Sequence, residues 1–246
     1  MLSYDGTAYA CWQVQPDATT VQGAIMAAAR VLLEPDVRVI GASRTDAGVH
    51  ALRQVASLRT ESALSPAAVQ GALNAALPGD IRVLEVAEVA AGFDARRSST
   101  GKRYAYLIDN GPTPSPLLRR YAWHVPRPLD VVAMRRALAS LGGRHDFSAF
   151  CAAPGRDTTP VCTLRALHVA RRKRCLAVLV SADRLLHHMV RNVVGSLVPV
   201  GRGVRAPAWV ADVLASRDRR RAGPTAPAHG LTLVRVLYPD PGPSAC

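Results

Sequence analysis

Apolar positions recur along this chain with two periods, one of about two residues and one of about 3.6, and the switches between them mark out its elements. Met1–Tyr4 reads as a short strand cut close by the start of the chain, so a few residues are expected to precede it. Thr19 with Gln22 three positions on resembles a capping box. The helix it would open carries Val21, Ala24, Ile25, Ala28, Val31 and Leu32 on one face. Val37–Ala42 and Gln54–Arg59 follow as strands. Ser65-Pro66 combines an N-cap with proline at the first helical position, Pro78-Gly79 stops that helix, and Ile81–Ala90 reads as a strand.

The second half repeats the scheme. A basic connection, Arg96 to Arg103, leads into a strand at Tyr104–Ile108. Asp130 caps a helix whose apolar face is Val131, Met134, Leu138 and Leu141. Leu164–Ala170 and Leu176–Ser181 are strands joined by the turn Arg171-Arg172-Lys173-Arg174. A long helix spans roughly Leu185 to Val198, Pro207 opens another near Trp209 and Val213, and Leu231–Leu237 is the last strand. Strand and helix runs with hairpin-like connections predict an α+β fold of two domains, 1–100 and 101–246, with antiparallel sheets covered by helices mainly on one side. The tail Pro239–Cys246 is proline-rich and expected to be loose.

Composition sharpens this in three ways. Hydrophobic residues make up 49% of 246, which suits packed domains and excludes a disordered chain. No apolar run is long enough to cross a bilayer, and Met1-Leu2-Ser3-Tyr4-Asp5 has neither a basic start nor an apolar signal core, so a cytoplasmic protein without membrane contact is expected. Cys11, Cys151, Cys162, Cys175 and Cys246 form no close pair, which favours reduced thiols over a disulfide framework. The strongest metal case joins Cys162 and Cys175 with His187-His188, but structural zinc sites bring their cysteines in close pairs, so no metal is expected.

Charge says more. Residues 1–95 hold 6 Lys/Arg and 10 Asp/Glu, and residues 96–246 hold 25 and 8, so a net −4 stands against +17. That asymmetry points to a polyanion gripped mostly by the second half. Arginine outnumbers lysine 29 to 2, and its planar fork suits phosphates and base edges, although codon bias accounts for part of the ratio.

The chemistry concentrates in Gly41-Ala42-Ser43-Arg44-Thr45-Asp46-Ala47-Gly48-Val49-His50, just after a predicted strand. Taken alone, Asp46-Ala47-Gly48 is a turn, with a side-chain acceptor and a glycine free to take positive φ. The wider run matches the RTDAGVHA signature of TruA-type tRNA pseudouridine synthases. Tyr4-Asp5-Gly6-Thr7 with Trp12-Gln13 resembles that family's opening motif, and Asn74 with Leu77-Pro78-Gly79-Asp80-Ile81 its N-x-x-LPxDI stretch. Phe93, Ala95-Arg96 and Lys102-Arg103-Tyr104-Ala105-Tyr106 resemble its F-x-AR and RYxY block. His187-His188-Met189-Val190-Arg191-Asn192 with Gly195 resembles its HHMVRNxxG helix. The five matches fall in family order over nearly the whole chain. Ser43, Cys11, Ser98 and Ser99 depart from the usual glycine or alanine, and none removes a reactive group.

The resemblance implies conversion of uridine to pseudouridine at positions 38, 39 and 40 of the tRNA anticodon stem-loop, by a homodimer that uses no cofactor. It implies two α+β domains whose antiparallel sheets join into one extended sheet, with the active-site cleft between them. Asp46 is then the catalytic carboxylate beside a sugar carbon that gains positive character. Arg191 keeps Asp46 ionised, and Tyr104 packs against the target base as a candidate for removing the C5 proton. By strand alternation residues 104 and 106 share one face, so one or both could equally be core; Tyr104 is taken as the stacking ring and Tyr106 as packing. Arg44 is the wedge that holds open the gap left by a flipped nucleotide. Arg96, Lys102 and Arg103 are expected on RNA, with the runs 171–174 and 217–221 along the same track. His187 and His188 read as helix packing or as supports of neighbouring groups.

Two other classes fit less well. An RNA-binding module needs the basic face but not Asp46, Tyr104 and Arg191 together. A metal-dependent nuclease needs several converging carboxylates, in which the second half is poor. A family member acting on another RNA or another uridine is the nearer rival.

Overall fold

The structure, a computed structural model, describes residues 1–33, 36–152 and 159–239. In chain order its elements are β1 (Leu2–Tyr4), α1 (Val21–Leu32), β2 (Val39–Gly41), β3 (His50–Gln54), β4 (Ala56–Leu58), α2 (Pro66–Ala76), β5 (Ile81–Val83), β6 (Gly101–Asp109), β7 (Trp123–His124), α3 (Val131–Ala139), β8 (Gly143–Asp146), β9 (Val161–Arg172), β10 (Cys175–Ala182), α4 (Met189–Gly201), α5 (Ala208–Ser216) and β11 (Leu231–Leu237). Two compact units emerge, Met1–Gly101 together with the chain from Leu233 onward, and Lys102–Thr232. Both mix strands with helices, so the chain is α+β and its strand pairing is mostly antiparallel. Among the described residues no helix is long and apolar enough to cross a membrane.

In the first unit β1 lies between β5 and β3, with β11 beyond β3, and β2 pairs β4 as a separate ribbon. The predicted strand at Ile81–Ala90 ends at Val83, because β1 offers only three residues to pair with. Asn74 closes that end: its side-chain amide bonds both the N–H and the carbonyl of Val83, at 2.8 and 2.9 Å. The second helix begins as read, with Ser65 capping and Pro66 in the first turn. The cap of α1 differs. Thr20, not Thr19, accepts from the Gly23 amide, while Gln22 turns away to the Val14 amide and the Val39 carbonyl. The buried face is Val21, Ile25, Ala28 and Ala29; Val31 is 84% exposed because it lies at the edge of that arc.

In the second unit the order is β6-β10-β9-β8, with β7 parallel to β6. The β9–β10 hairpin turns at Lys173, whose φ of 53° supplies the left-handed corner. Asp130 caps α3 through the amides of Val132 and Ala133. The long helix begins at Met189 rather than Leu185: His188 takes φ 58° and breaks the helical path before it. The expectation that His187 and His188 occupy adjoining helix positions is therefore corrected: both precede the helix, with their rings 3.8 Å apart. From Met189 to Val198 all but Arg191 are buried, so α4 is a core helix. Neither β7 nor β8 was legible, since Trp123-His124 and Gly143–Asp146 lack an alternating pattern of their own. The tail after Pro239 lies outside the described residues.

Candidate active site

Asp46 stands in the loop between β2 and β3, and that loop is fixed residue by residue. Gly41, the last residue of β2, lies so close to Trp12 that a Cβ there would overlap the indole. Ala42 donates to the Val55 carbonyl at 2.8 Å. The buried Gln54 side chain donates to the Ser43 carbonyl at 2.7 Å and accepts from the Ser43 amide. Thr45 is buried, with its hydroxyl 2.9 Å from that of Tyr4 and its carbonyl accepting from the Trp12 amide. The Asp46 backbone bridges to Cys11, and its carbonyl accepts from Val49 at 3.2 Å to close a turn in which Gly48 has φ 74°. Arg44 and Ala47 are consequently exposed, and Asp46 itself is half-buried.

The opening motif supports this loop from beneath. A Cβ on Gly6 would overlap the Val49 carbonyl, and the Gly6 amide donates to His50 Nδ1 at 3.0 Å. Asp5 accepts from the Thr7 amide and hydroxyl, and lies 3.1 Å from the same His50 nitrogen. Tyr9 donates to Asp80 at 2.6 Å. Burial first, then that hydrogen bond, pushes the Tyr9 phenol above its ordinary pKa. Three motifs well separated in sequence thus build one scaffold under Asp46.

Among the expected RNA contacts, Arg96 is exposed on a turn that Asp94 organises. Asp94 accepts from the amides of Arg96 and Arg97, both at 2.8 Å, and the Arg97 contact leads in holding its carboxyl below the usual pKa. Buried Ala95 anchors the turn: its amide donates to Ser57 and its carbonyl accepts from Tyr238, whose ring packs on Phe93. Lys102 is half-buried and Arg103 exposed, both on β6 opposite Ala182 and Ser181.

Tyr104 and Tyr106 share the buried face of β6, opposite Val180 and Val178. Tyr106 is wholly buried, donates to the Pro227 carbonyl at 2.7 Å, and packs so tightly on Gly230 that a Cβ there would enter its ring. Burial drives its phenol above the ordinary pKa despite the opposing charge of Arg191, as fits a side chain packed in the core. Tyr104 is 5% exposed. Arg191, half-buried on the first turn of α4, exchanges two hydrogen bonds with Ala226: its Nε donates to that carbonyl at 2.8 Å, and its own carbonyl accepts from that amide at 3.2 Å.

Sequence reasoning missed what surrounds Arg191. Asn192 is fully buried, donates to the Phe150 carbonyl, and accepts from Arg219 at 2.9 Å and Thr225 at 2.6 Å. The expected basic track is also partly structural. Arg219 turns to Asn192, Thr225 and the Gly223 carbonyl. Arg171 reaches Asn110 and the Leu129 carbonyl, while Arg174 clamps Asp109 through two bonds of 2.6 and 2.9 Å. Burial alone would raise Asp109, but Arg174 and the amides of Ser115 and Gly111 hold its carboxyl below the ordinary range. For Asn192 the available signal was its place in the HHMVRN run, whereas no motif marks Asp109, Asn110, Arg219 or Thr225. The hairpin register sets Cys162 and Cys175 at opposite ends of β9–β10, which rules out a metal shared between them. Burial pushes the Cys162 thiol up to about 11.

Comparison with known proteins agrees with the motifs. A protein family described as tRNA pseudouridine synthase matches residues 1–96 and 137–239. The chain is 48% identical to "tRNA pseudouridine synthase A" of Myxococcus xanthus, over 99% of this chain and 92% of that one. It is 46% identical to the protein of the same name from Moorella thermoacetica, over 96% and 97%. With that of Methylobacterium nodulans it shares 47% over 100% and 97%. A solved Cbf5-Nop10-Gar1 complex overlays with a TM-score of 0.38 at 10% identity, covering 98% of this chain and 59% of that one, too low a likeness to build on.

Proposed function

The chain belongs to the tRNA pseudouridine synthase family, and from that premise we propose that it isomerises uridine to pseudouridine at positions 38, 39 and 40 of the tRNA anticodon arm. The reaction breaks the N1–C1′ bond, turns the uracil, joins C5 to C1′ and moves the C5 proton away, while N1 ends protonated. Atoms and electrons balance within the nucleotide, so the chemistry calls for no oxidant, reductant or carrier.

Each proposed role follows from what the step needs. C1′ becomes electron-poor as the glycosidic bond breaks, and the Asp46 carboxylate meets it as nucleophile or as electrostatic partner. A carboxylate in a water-poor site stays charged only with a cation beside it, the role given to Arg191. Tyr104 supplies the ring against which the extruded base packs. Arg44 fills the gap left in the helical stack, and Arg96, Lys102 and Arg103 meet backbone phosphates. The reading requires both units to contribute to one site, in one extended sheet, and the protein to act as a homodimer.

The observation that carries the proposal is the clamped loop around Asp46. Tyr4, Gly6, Trp12 and Gln54 fix the main chain on both sides of a half-buried carboxylate, which is more restraint than a surface turn requires. The test is pseudouridine mapping on unmodified tRNA with wild-type protein and Asp46→Asn. Conversion in the anticodon arm by wild type, with binding but a loss of about 10⁴-fold or more in the variant, supports it. Wild-type turnover by Asp46→Asn would overturn the carboxylate assignment. Conversion confined to other uridines would overturn the substrate.

A further inference from the structure

We propose that Arg219 and Thr225, which lie in and beside a basic run otherwise suited to RNA phosphates, are positioning residues that aim the Arg191 guanidinium. The proposal rests on the catalytic reading of Arg191 given above.

A chain of contacts from Arg191 to α4 makes the case. Arg191 takes its orientation from Ala226, which accepts from Nε and returns its amide to the Arg191 carbonyl. Fixing Nε sets the plane of the guanidinium, and with it the direction of its two terminal nitrogens. Ala226 in turn belongs to the strap 219–226, which has no strand or α-helix of its own to hold it. What holds it is α4. The Asn192 amide oxygen, wholly buried, accepts from Thr225 Oγ1 at 2.6 Å and Arg219 Nη2 at 2.9 Å. Arg219 also donates to Thr225 Oγ1 and the Gly223 carbonyl, both at 3.0 Å, closing a ring of polar contacts over the strap. Ser196 accepts from the Gly223 amide at 2.9 Å. Gly195 lets the strap lie directly on the helix, since a Cβ there would overlap the Pro224 carbonyl.

The alternative use of Arg219 is as one more phosphate contact. The two make opposite predictions, because losing a phosphate contact weakens binding at every sequence and lowers the salt slope by about 1. Misaiming a catalytic group by a fraction of an ångström costs turnover while binding persists.

The experiment measures single-turnover rate at saturating tRNA, tRNA affinity and its salt slope for Arg219→Gln, Thr225→Val, Thr225→Ser, Arg191→Gln and Thr225→Val/Arg191→Gln. On the proposal, Arg219→Gln and Thr225→Val slow turnover on the order of 10- to 100-fold, with affinity and salt slope within about 2-fold of wild type. Thr225→Ser, which keeps the hydroxyl, restores the rate. In the Arg191→Gln background Thr225→Val costs less than about 2-fold, because the group it aims is gone. Lost affinity and a flatter salt slope with normal saturating turnover in Arg219→Gln would make that residue a phosphate contact and overturn the proposal. Where Arg219→Gln fails to fold, the Thr225 pair decides: normal turnover in Thr225→Val, with Arg191→Gln impaired, overturns the positioning role alone. Normal turnover in Arg191→Gln overturns the catalytic reading beneath it.

Discussion

Around Asp46 the anchors are hydroxyl, amide and glycine contacts: Tyr4 on Thr45, Gln54 on Ser43, Gly6 under Val49 and Gly41 against Trp12. The second unit is held differently. There arginine forks do the bracing, Arg219 on Asn192 and Thr225, Arg174 on Asp109, and Arg171 on Asn110. The excess positive charge of residues 96–246 is therefore not one population of RNA-facing groups. Part of it is internal bracing, suited to tying long connections through several carbonyls and amides at once. A consequence is that the second unit should lose stability in acid where Arg174 meets the Asp109 carboxylate.

The sharpest way to break this comparison is to close the glycine approaches. Gly195→Ala and Gly6→Ala each drive a methyl into a main-chain carbonyl, and each is expected to cost about 3 kcal/mol, read as a shift in urea midpoint. A cost below about 1 kcal/mol would show that helix and strap, or loop and opening motif, are not in contact. Asp109→Ala comes next, at about 2 kcal/mol near neutral pH, reduced from the fully buried case because Arg174 is 39% exposed. Since Asp109 has its pKa lowered by folding, the stabilisation is complete above the ordinary carboxylate pKa of about 4 and fades as pH falls through the folded value. Wild type and variant should converge in acid melts, and a constant gap would remove the ionic account.

Smaller effects sharpen the contrast. Tyr4→Phe removes a buried hydroxyl contact to Thr45 and should cost about 1 kcal/mol in thermal melts. A cost below about 0.3 kcal/mol would show that the Tyr4 hydroxyl does not hold the loop. Thr20→Ala should cost about 1 kcal/mol and Thr19→Ala less than about 0.5, which checks which threonine caps α1.

How much could be read beforehand followed the range of the interactions. Ser65-Pro66, Asp130 and the β9–β10 hairpin were legible because caps and turns are settled by neighbours a few residues away. The start of α4 was misread because the apolar pattern continues through Leu185 and Leu186, whereas the left-handed backbone at His188 interrupts the helix. β8 was invisible because Gly-Arg-His-Asp becomes a strand only by pairing with β9. The Asp46 loop was found from a contiguous signature, but its anchors Tyr4 and Gln54 are 41 and 11 positions from the residues they hold.

The sequence by itself determined the family, most helix starts and the charge difference between halves, all of which reside in contiguous motifs or simple counts. Only the tertiary structure decided which of two neighbouring threonines caps a helix, where α4 begins, and that Arg171, Arg174 and Arg219 brace the fold. The reason is physical. An arginine's charge is the same wherever it stands in the chain, but its use depends on which carbonyls and amides folding brings within about 3 Å of its fork.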